Sequence, residues 1–446
     1  MELLNISAIE IADKISKKEV TVVEVVKFFI GRIKKYESLN CVSALFEEEA
    51  LEKAKILDRL NTDSKRLSQF HGIPVLLKDN LDVKGYVTKA GTVYLDRVAQ
   101  ESSALVHELE NLGFIILGKV KMTELAFGLS GQNPMQGTPL NPWSKKRLAP
   151  GGSSSGSCVA VAAGLIPLSI GGDTGGSIRT PAALNGIFGF KPSKDRIVAS
   201  GVVPLSETLD VLGPVSLRSE DIFELYPLLS DTHSYKTQSD VNELYYLAEE
   251  DFPYPLDSEL LELWNNLLRE LRVHGFSLKK WQLPREFNFE KLSTYTSTII
   301  AYESYLYHGK DAENKQNKMW EVVRDRVLRG KSISSDTYQQ AINDRSLFQK
   351  KFKDSLIDSP LLLLPISPIF AMELDIEDTG FAHVGHYTRP FNYLDAPCFT
   401  FPIGKNSEGL PAGVQLVSYQ NNECSLLNQA QMIIDKLRIR PIVAMN

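Results

Sequence analysis

Hydrophobic positions along this chain change their period between its first and second parts. Near the N-terminus, Val25, Val26, Phe29, Ile30 and Ile33 recur at helical spacing with Lys and Arg on the other face, which predicts an amphipathic helix. Ser7-Ala8-Ile9-Glu10 and Thr21-Val22-Val23-Glu24 each have the form of a capping box. A charged helix is predicted near Glu47 to Leu60. From Gly72 to about Pro214 the pattern becomes short Val/Ile/Leu runs, Ile73–Leu77, Gly113–Leu117 and Ile166–Ile170, separated by Gly-Ser loops and helical stretches. Apolar runs of strand length alternating with helices predict an α/β core with covered strands.

From Asp231 to about Pro360 the chain turns polar and helical. Leu260, Leu261, Trp264, Leu267, Leu268 and Leu271 form a helical stripe that reads as core packing. Lys310 to Lys353 is highly charged and predicts exposed helices or a lid. Strand texture returns at Leu361–Leu364, Cys398–Ile403 and Gly413–Val417, and a helix is predicted over Ser425–Leu437. The pattern reads as a single domain over 1–446, with 231–360 as a helical insertion, or variable region, within it.

Composition narrows the function classes. The 446 residues are 43% hydrophobic and 23% charged, as expected of a soluble globular protein. A net charge of -6 argues against the basic face of a nucleic-acid binder. Four cysteines (Cys41, Cys158, Cys398, Cys424) contain no CxxC pair, which fits a reducing compartment and gives no metal pattern. The start, Met-Glu-Leu-Leu-Asn, lacks the form of a secretion signal. The apolar run from Pro360 to Met372 is too short to span a bilayer. These features predict a cytoplasmic protein with no membrane and no direct nucleic-acid partner.

Candidate chemistry lies in three segments. Pro74 to Lys78 is an apolar run closed by a lysine. Gly151-Gly152-Ser153-Ser154-Ser155-Gly156-Ser157 and Gly171-Gly172-Asp173-Thr174-Gly175-Gly176-Ser177-Ile178-Arg179 are small and hydroxyl-rich. Acyl transfer needs a nucleophile, a proton shuttle and donors for an oxyanion. Ser177 follows two glycines that let successive N–H groups point at one oxygen, where each donor is worth about 3–4 kcal/mol. None of the seven histidines lies in either loop. Lys78, if buried, is driven toward its neutral form and becomes the candidate base. Ser153, which both donates and accepts, can stand between them. The rate should then fall below about pH 7. The competing assignment for Lys78 is an ion pair with a carboxylate such as Asp79.

Gly152-Ser153-Ser154-Ser155-Gly156 also satisfies G-x-S-x-G, with Ser154 at the elbow and His383 or His386 late enough to be its base. That motif needs a strand before it, and Asn141 to Pro150 is polar and proline-bounded. No GxxxxGK[ST] phosphate loop is present.

The lysine, GGSS and D-x-GGS-I-R segments, in this order, resemble the amidase signature family. Lys121-Met122-Thr123-Glu124, Asn141-Pro142-Trp143, Gly189-Phe190-Lys191-Pro192 and Gly409 to Leu416 agree with it, and the likeness is weakest between Asp231 and Pro360. The resemblance implies a large mixed sheet with helices on both faces and a Ser-Ser-Lys triad without cofactor or metal. Ser177 would be the nucleophile, Ser153, in a cis peptide, the bridge, and Lys78 the base. N–H groups of Thr174, Gly175, Gly176 and Ser177 would form the oxyanion hole. Ser154, Asp173 and Arg179 would support it, Arg179 first as a structural ion pair with Asp173.

Two branches of the family differ in partners. The A subunit of glutamyl-tRNA(Gln) amidotransferase usually has GGSSGGS and Met-Asp-Glu-Phe, where this chain has GGSSSGS and Met122-Thr123-Glu124-Leu125. Gly131 to Pro139 is more similar to stand-alone small-amide hydrolases of the biuret and allophanate type. The expectation is therefore a free-standing amide hydrolase, with a homodimer as one arrangement it allows. The alternative is the amidotransferase component, working with its partner chains. In place of a Gly-x-Pro-Ala turn the chain reads Asp395-Ala396-Pro397-Cys398. Asp395 and Cys398 are candidates to face the substrate, Asp395 alternatively capping a turn and Cys398 alternatively filling the core.

Overall fold

The computed structural model describes residues 3–62, 65–230, 242–284, 286–357, 359, 361–374 and 380–445. Both capping boxes form: Ser7 and Glu10 close the N-terminus of helix Ala8–Ser16, and Thr21 and Glu24 that of Val22–Lys35. The charged helix runs over Glu47–Thr62.

Eleven strands among the described residues make one sheet. They are β1 (Val42–Leu45), β2 (Pro74–Lys78), β3 (Ile115–Val120), β4 (Leu168–Asp173), β5 (Phe188–Lys191), β6 (Val211–Ser216), β7 (Glu243–Tyr246), β8 (Ser277–Lys280), β9 (Leu361–Pro365), β10 (Cys398–Lys405) and β11 (Pro411–Ser418). Their order is β1-β3-β2-β4-β6-β5-β10-β11-β9-β7-β8. Parallel pairs, β2 with β3 and β4 on one side and β7 with β8 and β9 on the other, flank an antiparallel run from β4 to β9. The fold is thus a mixed α/β architecture. Strands β2, β4, β6 and β9 are buried along their whole length, and β2 and β9 accordingly read as apolar runs.

Several boundaries move. The strand expected over Gly113–Leu117 begins at Ile115, because Gly113 turns with φ +86°. The run expected over Ile166–Ile170 becomes β4, which continues through Gly171, Gly172 and Asp173, so only Thr174 to Ile178 form the loop. The closing helix starts at Glu423.

The limits of the expected helical insertion, Asp231 and Pro360, lie outside the described residues. Within it the predicted stripe forms helix Ser258–Val273, which buries Leu260, Trp264, Leu267, Leu268 and Leu271. Helices Phe289–Glu313, Glu321–Arg329 and Ser335–Ser355 follow. The segment is not wholly helical: β7 and β8 extend the same sheet. Edge strand β8 places Lys279 and Lys280 at its border, a common guard on an exposed edge. No described helix is long and apolar enough to cross a membrane.

Parallel pairing of β2 with β4, with Leu77 opposite Ile170, brings the carboxyl ends of both strands to one edge. Lys78 ends β2 and Asp173 ends β4. Helix Ser155–Ala162 precedes β4, and its first turn returns the Ser153-Ser154 loop to that edge.

Candidate active site

Lys78 is 1% exposed. Its Nζ donates to Ser153 Oγ at 2.8 Å and to the Gly172 carbonyl at 3.2 Å. Burial pulls its proton affinity down, opposed by the nearby carboxylates of Asp210 and Asp173, to about 8. Asp79, the competing partner, instead pairs with buried Lys119 at 3.4 Å. The Gly152–Ser153 peptide is cis. The N–H of Thr123 donates to Ser153 O at 3.2 Å, and that of Ser154 to Ser177 O at 3.1 Å. The two serine loops are therefore locked together.

Ser177 opens onto a cavity of about 290 Å³ that is also lined by Thr174, Gly175, Phe127, Ile300 and Arg389. Its loop is shaped from beneath by Asp173. That carboxylate accepts from the N–H groups of Gly176 at 2.8 Å and Ile178 at 3.0 Å. The N–H of Gly176, one of the four expected at the oxyanion, thus donates to the Asp173 carboxylate in this structure. Among the described residues, the N–H groups of Thr174, Gly175 and Ser177 have no protein partner and remain as candidate donors. Gly176 serves otherwise. Its φ is +124°, and a Cβ there would collide with Thr388, so only glycine suits both the turn and the contact.

Arg179 and Asp173 form a fully buried pair. Arg179 Nη2 lies 3.1 Å from Asp173 Oδ1 and its Nε 3.1 Å from Oδ2. Arg179 also donates to Thr388 O, Gln415 Oε1 and Asn392 Oδ1. Burial pushes the Asp173 carboxyl up, but the Arg179 charge and its hydrogen bonds prevail and hold it well below the usual carboxylate range. Removing one member would strand a charge, at about 3–5 kcal/mol. The geometry gives Arg179 a structural place. Ser154 is structural too: its Oγ donates to Gly172 O at 3.0 Å and accepts from Gly172 N at 3.1 Å. This is a pin between loop and strand, not an exposed elbow, and no described histidine hydrogen-bonds to it.

Asp395 and Cys398 are absent from the cavity lining. Asp395 Oδ1 accepts from Lys194 N at 2.7 Å and its Oδ2 from Gln420 at 2.6 Å, so it caps a turn. Cys398 begins β10, fully buried, with Sγ on the Ala396 carbonyl. Neither residue reaches the substrate space.

Asp210 has no signal in the local sequence. It accepts from Thr174 Oγ1 at 2.5 Å and from the N–H groups of Leu205 and Ser206. Burial pushes its carboxyl up, and the hydrogen bond from Thr174 opposes this. Its partner Thr174 flanks the nucleophile loop, so Asp210 fixes one side of the cavity. Arg326 and Arg329 were likewise hidden, because arginines on a charged helix read as a solvated face.

A buried lysine on a serine, next to a second serine and free backbone donors, is the constellation of acyl transfer. A family model described as Amidase matches residues 24–427. The chain belongs to the amidase family. Its chemistry is hydrolysis of an amide C–N bond. Among its relatives, the A subunit of glutamyl-tRNA(Gln) amidotransferase from Clostridium novyi (strain NT) is 31% identical over 472 residues, covering 96% of each chain. The protein of that name in Protochlamydia amoebophila (strain UWE25) is 29% identical over 477 residues, covering 98% of this chain and 97% of the relative. A solved structure, described as an amidase, matches with a TM-score of 0.89 at 27% identity, covering 97% of this chain and all of that one. In this amidase the large mixed sheet is the family fold.

Proposed function

We propose that this chain is a free-standing amidase in which Ser177, Ser153 and Lys78 act in sequence. Ser177 Oγ attacks the amide carbonyl carbon while its proton passes through Ser153 Oγ to neutral Lys78 Nζ. The carbonyl electrons move onto oxygen, which takes hydrogen bonds from Thr174, Gly175 and Ser177 N–H. Collapse breaks the C–N bond, and the proton returns through Ser153 to the leaving nitrogen. Ammonia or an amine departs and an acyl-enzyme remains. Water then repeats the relay and frees the acid. The observation that carries this reading is the 2.8 Å Lys78–Ser153 hydrogen bond, in a loop tied to Ser177 through its backbone.

Independence from a partner chain is supported by the departures from the amidotransferase pattern, GGSSSGS and Met122-Thr123-Glu124-Leu125. Where the amidotransferase pattern has Asp, the neutral Thr123 side chain lies against Gly152, whose Cβ position is 2.7 Å from Thr123 Oγ1. The second reading is the amidotransferase component, which would supply ammonia from glutamine to its partner chains. Near full-length relatives of that name favour it. The free-standing reading is compatible with a homodimer.

Ammonia release from a panel of small amides, with Ser177→Ala in parallel, tests the proposal. The expected result is release by the purified chain from at least one small amide other than glutamine. The variant should lose at least about 1,000-fold in kcat with its melting temperature unchanged. Release from glutamine alone would support the amidotransferase reading. Turnover retained in Ser177→Ala would remove Ser177 as nucleophile.

A further inference from the structure

Three guanidinium groups converge on the cavity in front of Ser177. Arg389 comes from helix Val384–Tyr393, and Arg326 and Arg329 come from helix Glu321–Arg329. The same three line an adjoining hollow of about 480 Å³. Among the described residues no carboxylate lines either space.

Arg389 is the informative member. Its guanidinium makes no hydrogen bond or ion pair with any described residue. Burial, with the charge of Arg326 nearby, pulls its proton affinity down to about 10. The stem crosses the nucleophile loop: a Cβ at Gly175 would lie 3.4 Å from Arg389 Cγ. The head rests one helical turn back on Gly385, where a Cβ would come within 2.5 Å of Cζ and Nη1. The helix is bare where the guanidinium lies, so its position beside the loop is built in. Across the opening, Arg326 Nη1 is fixed by the Phe127 carbonyl at 2.7 Å. Arg329 is exposed at the same rim.

Holding Arg389 partly dehydrated beside a like charge, with no counter-ion to it among the described residues, is unfavourable. A carboxylate arriving between the two would relieve it, because guanidinium–carboxylate bonds are charge-assisted and directional. We infer that the substrate is a small amide carrying its own carboxylate, which pairs with Arg389 and Arg326 while the scissile carbonyl sits at Ser177. This rests on the Ser177 reading above. The chemical class is the monoamide of a short dicarboxylic acid. An α-amino acid amide fits less well, because its ammonium group would enter among three guanidinium groups.

The test measures kcat/KM for succinamate and malonamate against neutral butyramide and malonamide, with glutamine alongside. Wild type is expected to prefer the carboxylate member of each pair by at least about 100-fold. Arg389→Gln should shrink that ratio to within about threefold, mainly through KM, and Arg389→Lys should restore part of it. Equal use of charged and neutral amides, a ratio untouched in Arg389→Gln, or a preference for glutamine over succinamate would each overturn the inference. If wild type hydrolyses none of them, calorimetry of succinamate on Ser177→Ala separates the two readings. Binding that is lost when Arg389→Gln is added keeps the anion site and removes the amidase mechanism, whereas no binding overturns the anion site.

Discussion

At Lys78 opposing influences set one proton affinity. Burial favours the neutral amine, while Asp210 and Asp173 pull toward the charged form, and the balance falls at about 8. The base works only when neutral, so protonation below that value removes it. kcat/KM should therefore rise about tenfold per pH unit up to roughly pH 8 and level off above. This places the fall nearer pH 8 than the pH 7 expected from the sequence, and a profile flat from pH 5 to 9 would eliminate Lys78. The three residues proposed for the chemistry were legible because each sits in a short local pattern. The role of Gly176 was not, because the Asp173 side chain that takes its N–H folds back only in three dimensions. Arg389 was equally silent, since what makes it unusual is that no described residue partners it across space.

Helix ends show the same division between local and distant causes. The capping boxes at Ser7 and Thr21 were legible because cap and responder are three residues apart. Yet each helix start is also held by a distant carboxylate. Asp221 accepts from Ala8 N at 3.0 Å and Ile9 N at 3.2 Å, and Asp58 from Val22 N at 2.7 Å and Val23 N at 3.1 Å. A carboxylate there takes N–H groups that the first turn leaves unpaired and meets the positive end of the helix. Asp221→Ala strips both acceptors from a buried site and should cost about 1–3 kcal/mol. Urea unfolding checks this as a lowered midpoint at unchanged slope, and an unmoved midpoint would refute it. Buried strands such as Pro74–Lys78 and Leu361–Pro365 were legible as apolar runs, whereas buried Phe188–Lys191 and Val211–Ser216 and the partly exposed Glu243–Tyr246 and Ser277–Lys280 were not. The last two are partly exposed, Ser277–Lys280 at the sheet edge, and their neighbours, not their own periodicity, make them strands.

Over the whole molecule, the mixed sheet solves one problem of placement. Lys78, Ser153 and Ser177 span 100 residues of chain, and the parallel β2–β4 pairing gathers them at a single edge. The buried Arg179–Asp173 pair then binds that edge to Thr388, Asn392 and Gln415 from the far half of the sequence. Helices from the polar middle segment complete the cavity by supplying Arg326, Arg329 and Ile300. The proposed catalytic residues were thus readable from the first half alone, while the proposed specificity wall depends on tertiary packing of a segment with little recognisable pattern. The most direct test of the central claim is covalent labelling of the folded chain with a fluorophosphonate, followed by peptide mapping. The account predicts one adduct, on Ser177, formed in step with loss of amide hydrolysis and absent in Lys78→Met. An adduct on Ser154, or full inactivation with Ser177 unmodified, would contradict it.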